Sequence, residues 1–237
     1  MASESLPYHH GDLRVALLDA GLALARVGGP RSLGLRAVTR KVGVTPNAAY
    51  RHFADRGALV KAVALAAQNR LAAAMVRNAP TPEEEPDAGR RAVLRLRGIG
   101  RSYIRFALSE PGWFELAFLT QNESRAPEAF APDDAELAPP FRLLLDALDD
   151  MAGTGLLSPA QRRNAEWVCW AAVHGFADLA TRGPLQGQDR TVIDQLADGV
   201  VDAVIAGLQA KDGGAPDRLP AREGSSRSAG AFRAEPR

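Results

Sequence analysis

The chain has 237 residues, enough to bury a proper core either as one large domain or as a small domain joined to a larger one. Its composition is rich in Ala and Leu, with few aromatics and little of the alternating Val/Ile/Thr pattern of sheets, which argues for an all-α fold. The net charge is only +1, but residues 1–57 carry eight basic and four acidic side chains, whereas residues 121–150 carry two and eight, so a basic head on an acidic body could orient the protein towards a polyanion.

The first helix is predicted from about Asp12 to Val27, with Leu13, Leu17, Ala20, Leu24 and Val27 on one buried face. Gly28-Gly29-Pro30 stops it. A second helix of about two turns runs from Leu35 to Val42 and ends at Gly43. In the stretch GVTPNAAYRHFADR, Thr45 is placed to cap a third helix through its hydroxyl, and Pro46 suits N1 because no donor is needed there. Val44 can staple to Ala49, and Phe53 follows on the same inward face. Asn47, Ala48, Tyr50 and His52 are left pointing outward or sideways. Asp55 then caps a fourth helix reaching about Asn78, with Leu59, Val63, Ala66 and Leu71 on its apolar side.

Two short helices joined by a tight Gly-Val-Thr turn and buttressed on both sides form a helix-turn-helix, whose second short helix is the part that enters a major groove. The sequence alone also permits a small helical bundle with a polar surface.

The acidic segment APTPEEEPDAG, Ala79 to Gly89, is expected to link this head to the body. A helix containing Val93, Leu96, Tyr103, Phe106 and Ala107 should end before Pro111, and the short apolar segment Trp113 to Leu119 comes next. Residues Gln121 to Ala138 are expected to form a mobile loop. Phe141 to Met151 is a further helix, and Ser158-Pro159 should start the next, which holds NAEWVCWAAVHGFADLA as one element. The last helix, from about Arg190 to Leu208, places Gly199, Ala203 and Gly207 four residues apart. From Lys211 onward the chain is too poor in apolar residues to offset the entropy of ordering, so a disordered tail is expected.

The run Leu35-Arg36-Ala37-Val38-Thr39-Arg40-Lys41-Val42-Gly43-Val44-Thr45, followed by Ala49-Tyr50-Arg51-His52-Phe53 and Leu59, closely resembles the DNA-binding domain of TetR-family transcriptional regulators. Trp170-Ala171-Ala172-Val173-His174-Gly175 resembles the Trp-x-x-x-His-Gly signature of the subgroup with a WHG domain, and Tyr8 to Arg14 resembles that subgroup's lead-in. The resemblance implies a homodimeric repressor with a helix-turn-helix DNA-binding domain over 1–57, a helical ligand-binding and dimerisation domain over 58–210, and the tail over 211–237. It implies that Arg36 contacts phosphate or a base, that Thr45, Pro46, Asn47 and Ala48 meet the groove, that Tyr50 and His52 hold phosphates, and that Arg56, where the family usually has lysine, grips phosphate. Gly34 and Gly57 depart from the usual Ser/Thr cap and Glu. Ala48 can offer only an apolar contact, which leaves Arg36 and Asn47 as the best base readers. The expected partner is a palindromic double-stranded operator.

For the body, the Gly199, Ala203 and Gly207 stripe, flanked by Val200 and Val204 and with His174 nearby, is expected at a four-helix dimer interface; packing within one subunit is the alternative. Tyr103, Phe106, Trp113, Phe114, Phe118, Trp167 and Trp170 are candidates to line a pocket for a small, mostly apolar effector, or else plain core.

Other functions fit less well. The four histidines lack ligand spacing for a metal, there is no Gly-rich phosphate loop, and no catalytic set can be assembled, so neither an enzyme nor a cofactor is expected. Cys169, the only cysteine, forms no intrachain disulfide and reads as a small buried apolar group rather than a redox sensor. No apolar run approaches membrane-spanning length and the N-terminus has no apolar leader, so a cytoplasmic protein without membrane contact is expected. A helical dimer that binds a partner without DNA is the remaining alternative.

Overall fold

The computed structural model describes residues 10–78, 80, 83–119 and 138–210. The expected loop over 121–138, apart from its last residue, and the expected tail over 211–237 lie outside them. All regular structure among the described residues is helical: α1 (His10–Gly28), α2 (Leu35–Val42), α3 (Pro46–Tyr50), α4 (Arg56–Val76), α5 (Ala88–Ser109), α6 (Pro111–Leu119), α7 (Pro139–Gly153), α8 (Pro159–Arg162), α9 (Ala165–Thr181) and α10 (Arg190–Gln209), with one 3-10 turn at Pro30–Ser32.

Local chemistry explains most boundaries. Gly29 takes a left-handed φ of 59° after α1, and its N–H bonds the Ala25 carbonyl at 2.8 Å. Asp55 and Asp87 accept backbone N–H groups of Ala58 and Arg90, each at 2.7 Å, and so cap α4 and α5. Asp189 caps α10 through the Thr191 N–H, which holds its carboxyl below the usual range.

The core has two clusters. Leu17, Leu22, Leu33, Val38, Ala49, Phe53, Leu59 and Val63 centre the first, and Leu71, Met75, Leu96, Tyr103, Leu148 and Met151 the second. α4 belongs to both, through Ala67 in the first and from Leu71 in the second. α6 is shared as well, with Leu116 and Ala117 in the first and Phe114 in the second. Head and body are therefore joined by a continuous helix. The acidic segment expected to link them turns the chain from α4 into α5 instead.

Several expectations are corrected. Val27, expected inward, is 92% exposed, while Leu22 and Ala25 are buried. The reason is α6, which packs on the second half of α1 and rotates the buried arc. The expected single helix after Ser158 is two: Ser158 and Gln161 close a capping box on short α8, and Asn164 in the left-handed conformation (φ 61°) breaks the chain before α9. α4 is long and apolar enough to meet a composition test for a membrane span, contrary to the sequence expectation. Its alanine-rich face packs against α1, α5, α6 and α7, as a core helix does.

Candidate DNA interface and core pocket

The head is built around α3. Gly43, with φ 81°, turns the chain out of α2, and the N–H groups of Gly43 and Val44 return to the Thr39 carbonyl at 2.8 and 3.0 Å. Thr39 is itself buried, its hydroxyl donating to the Leu35 carbonyl at 2.9 Å. Ala49 and Phe53 fasten α3 from beneath, and the Phe53 N–H bonds the Ala49 carbonyl at 2.9 Å. Thr45 holds the extended N-cap conformation but makes no side-chain cap hydrogen bond, which corrects the expected cap; Pro46 at N1 starts the helix, and the hydroxyl is left unused by the helix.

Fastened this way, α3 presents Thr45, Pro46, Asn47 and Tyr50 to solvent, Tyr50 with 54% of its surface exposed. Arg36 is exposed at the start of α2, and Ala48 and His52 are half-buried beside them. Arg56 is also exposed, but its Nε donates to the Leu33 carbonyl at 2.8 Å and its Nη2 to the Pro30 carbonyl at 3.2 Å. It ties the start of α4 to the link before α2, a role the sequence did not signal; only its remaining N–H groups are free for a phosphate. Arg14 stacks over Phe53 at 5.5 Å and braces the end of α3.

In the body, Tyr103 is 1% exposed and is the hub of an aromatic cluster, with ring centroids 5.6 Å from Phe114, 5.7 Å from Phe118 and 5.2 Å from Trp170. Its hydroxyl lies 2.7 Å from His174 Nδ1. Burial raises the phenol's pKa and lowers the imidazole's, so a protonated Tyr103 and a neutral His174 share this hydrogen bond. His174, expected at the dimer face, thus turns its ring into the cluster. Phe141 of α7 joins it at 5.3 Å from both Trp167 and Trp170, a contribution the sequence reading missed because α7 is distant in sequence. Trp167 itself is 46% exposed.

Beside the cluster lies a cavity of about 30 Å³ lined by Tyr103, Trp170, Cys169, Leu144, Val204 and other apolar side chains. Burial pushes the Cys169 thiol up to about 11, so at neutral pH it is a protonated apolar group. Phe106 and Trp113 lie elsewhere. They stack on each other at 6.3 Å where head meets body; the indole Nε1–H donates to the Leu22 carbonyl at 2.7 Å, and Arg26 and Arg70 cover the ring at 5.3 and 5.0 Å. Arg26 also forms a bidentate pair with Glu110, both bonds 2.6 Å long. Gln68, buried on α4, donates to the Ala117 carbonyl of α6 at 2.8 Å. α6 is thereby fixed to α1 and α4 together.

The stripe on α10 also resolves. Gly199, Ala203 and Gly207 are exposed, with nothing near a Cβ added at either glycine, while Val200 and Val204 turn towards the core. Gly175 on α9 is equally open, and Trp167, Val168, Leu179, Val192 and Leu196 are large exposed apolar groups on the same two helices.

Sequence comparison decides the family. Residues 17–63 match the family model for bacterial regulatory proteins of the tetR family, and residues 96–204 match that for a tetracyclin repressor-like C-terminal domain. The chain belongs to the TetR family. It is a DNA-binding transcriptional regulator rather than an enzyme, all-α, with an N-terminal helix-turn-helix and a larger helical C-terminal part. No curated protein matches it. Among solved structures, a protein of unknown function from Rhodococcus sp. RHA1 is 29% identical, with TM-score 0.67, over 87% of this chain and 100% of that one. The fold also matches a tetR-family regulatory protein from Rhodococcus RHA1 (16% identity, TM-score 0.54, 81% and 96% covered) and the TetR-family regulator PfmR from Thermus thermophilus (18%, 0.53, 82% and 99%).

The half-buried His174 gives this TetR-family body a pH dependence. Its folded pKa lies below the ordinary 6.5, so as pH falls through that value the unfolded chain binds the proton first and stability declines. Melting temperature is therefore expected to fall between about pH 7.5 and 5.5, and less so in His174→Gln. An equal fall in the variant would contradict this.

Proposed function

We propose that the chain is a homodimeric, cytoplasmic repressor released from a palindromic operator by a small, mostly apolar molecule. The observation that carries the DNA side is α3: a five-residue helix whose inward side is held by Ala49 and Phe53, leaving Pro46, Asn47 and Tyr50 exposed beside Arg36. Arg36 and Asn47 read bases, Thr45 and Pro46 meet the groove, Ala48 offers an apolar contact to a thymine methyl, and Tyr50, His52 and Arg56 position the head on phosphates. One such head makes few base contacts, and a twofold dimer doubles them with recognition helices about 34–36 Å apart. Support for the dimer is the exposed apolar face of α9 and α10, whose open glycines allow close helix approach. The Trp-x-x-x-His-Gly signature supports the WHG subgroup, with Tyr103 as the partner of its histidine.

Support for an effector is the aromatic cluster with its part-buried Tyr103–His174 pair. A cavity of about 30 Å³ is far below the ~300 Å³ of ordinary ligand pockets, so this closed form is the one an effector must open. Its effect on DNA binding equals its differential affinity for the open and closed states. α6 is the natural route, since Phe114 and Phe118 touch the cluster and Gly112 and Trp113 touch α1.

The test is footprinting on fragments selected from pooled genomic DNA. Protection of two symmetric half-sites is expected; protection without symmetry would remove the dimer, and failure to select any fragment would remove the operator. A companion variant, Ala203→Arg, places a charge in the α9/α10 face. It should sediment as a monomer and bind operator at least about tenfold more weakly, since burying an unpaired charge costs several kcal/mol. A dimeric variant would place the interface elsewhere.

A further inference from the structure

The flank between α4 and α5 carries charge that neither DNA binding nor the core pocket uses. α5 contains six arginines and no acidic residue. Five have partners: Arg90 pairs with Glu85, Arg91 donates to the Glu85 and Pro86 carbonyls, and Arg95, Arg97 and Arg101 pair with Asp150, Asp202 and Asp198. The Arg105 side chain has no ion pair or hydrogen bond among the described residues, and neither does that of Arg77, the residue just after α4. Both are exposed.

The fold holds these two cations together. Asn78 Nδ2 donates to Ser102 Oγ at 2.7 Å and to the Ala74 carbonyl at 2.9 Å, which fastens the end of α4 to the middle of α5. Gly98 permits the approach, since a Cβ there would lie 2.7 Å from the Asn78 carbonyl oxygen. Two adjoining hollows of about 450 and 390 Å³ flank this bond and share Arg77, Asn78, Ser102 and Arg105. Arg70 and Glu110 also line one, and Arg97, Arg101 and Glu84 the other, so each hollow keeps more cations than carboxylates.

Like charges that line the same hollows repel, and an anion between them relieves the repulsion. Guanidinium forks match phosphate oxygens in pairs, and two of them balance a dianion where a carboxylate would balance only one. The hollows are of ligand size, so there is room for an organic remainder. We propose that this groove binds a phosphorylated small molecule, with its phosphate between Arg77 and Arg105, at a second ligand site separate from the aromatic cluster. The site does not depend on the repressor reading.

Titration calorimetry on the full chain at fixed ionic strength tests it, with pyrophosphate, adenosine monophosphate and acetate as probes. Saturable binding of the two phosphates in preference to acetate is expected, and Arg77→Gln with Arg105→Gln should weaken it at least about tenfold. Arg77→Lys with Arg105→Lys, which keeps the charges but loses the forks, should fall between. Because both side chains are exposed and have no ion pair or hydrogen bond among the described residues, the melting temperature should not fall in either double variant. Comparable binding of both phosphates would support a phosphate ester as the ligand, whereas binding of pyrophosphate alone would overturn the organic part of the proposal. No saturable binding at millimolar probe, equal binding by wild type and the glutamine variant, or loss of DNA binding in that variant with phosphate binding intact would each overturn the proposal.

Discussion

Replacing Asn47 and Tyr50 together by alanine is expected to weaken operator binding roughly a hundredfold or more while leaving the fold intact. A base-reading amide is worth about 1–3 kcal/mol and a phosphate hydrogen bond about 1 kcal/mol, and a dimer loses both twice. Neither side chain supports the head: both are exposed, and the helix beneath is held by Ala49 and Phe53. The melting temperature should therefore barely change, as for most surface substitutions. Arg36→Gln should behave differently across operators changed at single base pairs, because removing a base-reading guanidinium costs about 1–3 kcal/mol and also relaxes the preference at the position it reads. Fluorescence anisotropy with a labelled operator reads both quantities. Undiminished binding by the Asn47/Tyr50 variant would remove α3 from the interface.

Gly112→Ala is expected to produce the largest loss of stability from a single methyl group in this chain. An ideal Cβ at this position would lie 2.2 Å from the Ala25 carbonyl oxygen and 2.7 Å from that of Arg26. Both are backbone atoms that cannot rotate aside, so α6 must move off α1. That movement strains the Trp113 to Leu22 hydrogen bond and the Arg26 to Glu110 pair. Overpacking with a weakened part-buried hydrogen bond costs about 2–4 kcal/mol, which for a domain of this size lowers the melting temperature by roughly 5–15 °C. Gly153→Ala, at the end of α7 with nothing near the added Cβ, is the control and should be close to neutral. Calorimetry that found the two variants alike would show that α1 and α6 are not in close contact. Operator affinity should change in Gly112→Ala too, because α6 lies against α1 in the head.

These two predictions differ in how visible their sites are in the sequence. The helix-turn-helix was legible because its signals are local: Gly43 must turn the chain, Ala49 and Phe53 must face inward one turn apart, and Asp55 must cap the fourth helix. Each is decided within a few residues. The role of Gly112 was not legible, because it depends on α1 carbonyls more than eighty positions earlier in the chain. Val27 was misplaced for the same reason: an apolar repeat identifies a helix but not which of several neighbours will cover it. The break at Asn164 left no Gly or Pro signal, and asparagine is among the few other residues that accept a left-handed backbone. The aromatic residues of the body were recognised as a group, yet sequence could not divide them. Tyr103, Phe114, Phe118 and Trp170 gather around His174, whereas Phe106 and Trp113 pack where head meets body. That division arises from where α6 crosses α5, which is a property of tertiary packing.

The central claim is that α3 reads a specific duplex. Its most direct test is the affinity of the purified full chain for the fragment it selects and for random DNA of equal length, each titrated against salt. The account predicts a steep salt dependence on both duplexes and, at physiological salt, a preference of at least about a thousandfold for the selected fragment. Equal affinity for the two at every salt concentration would contradict it.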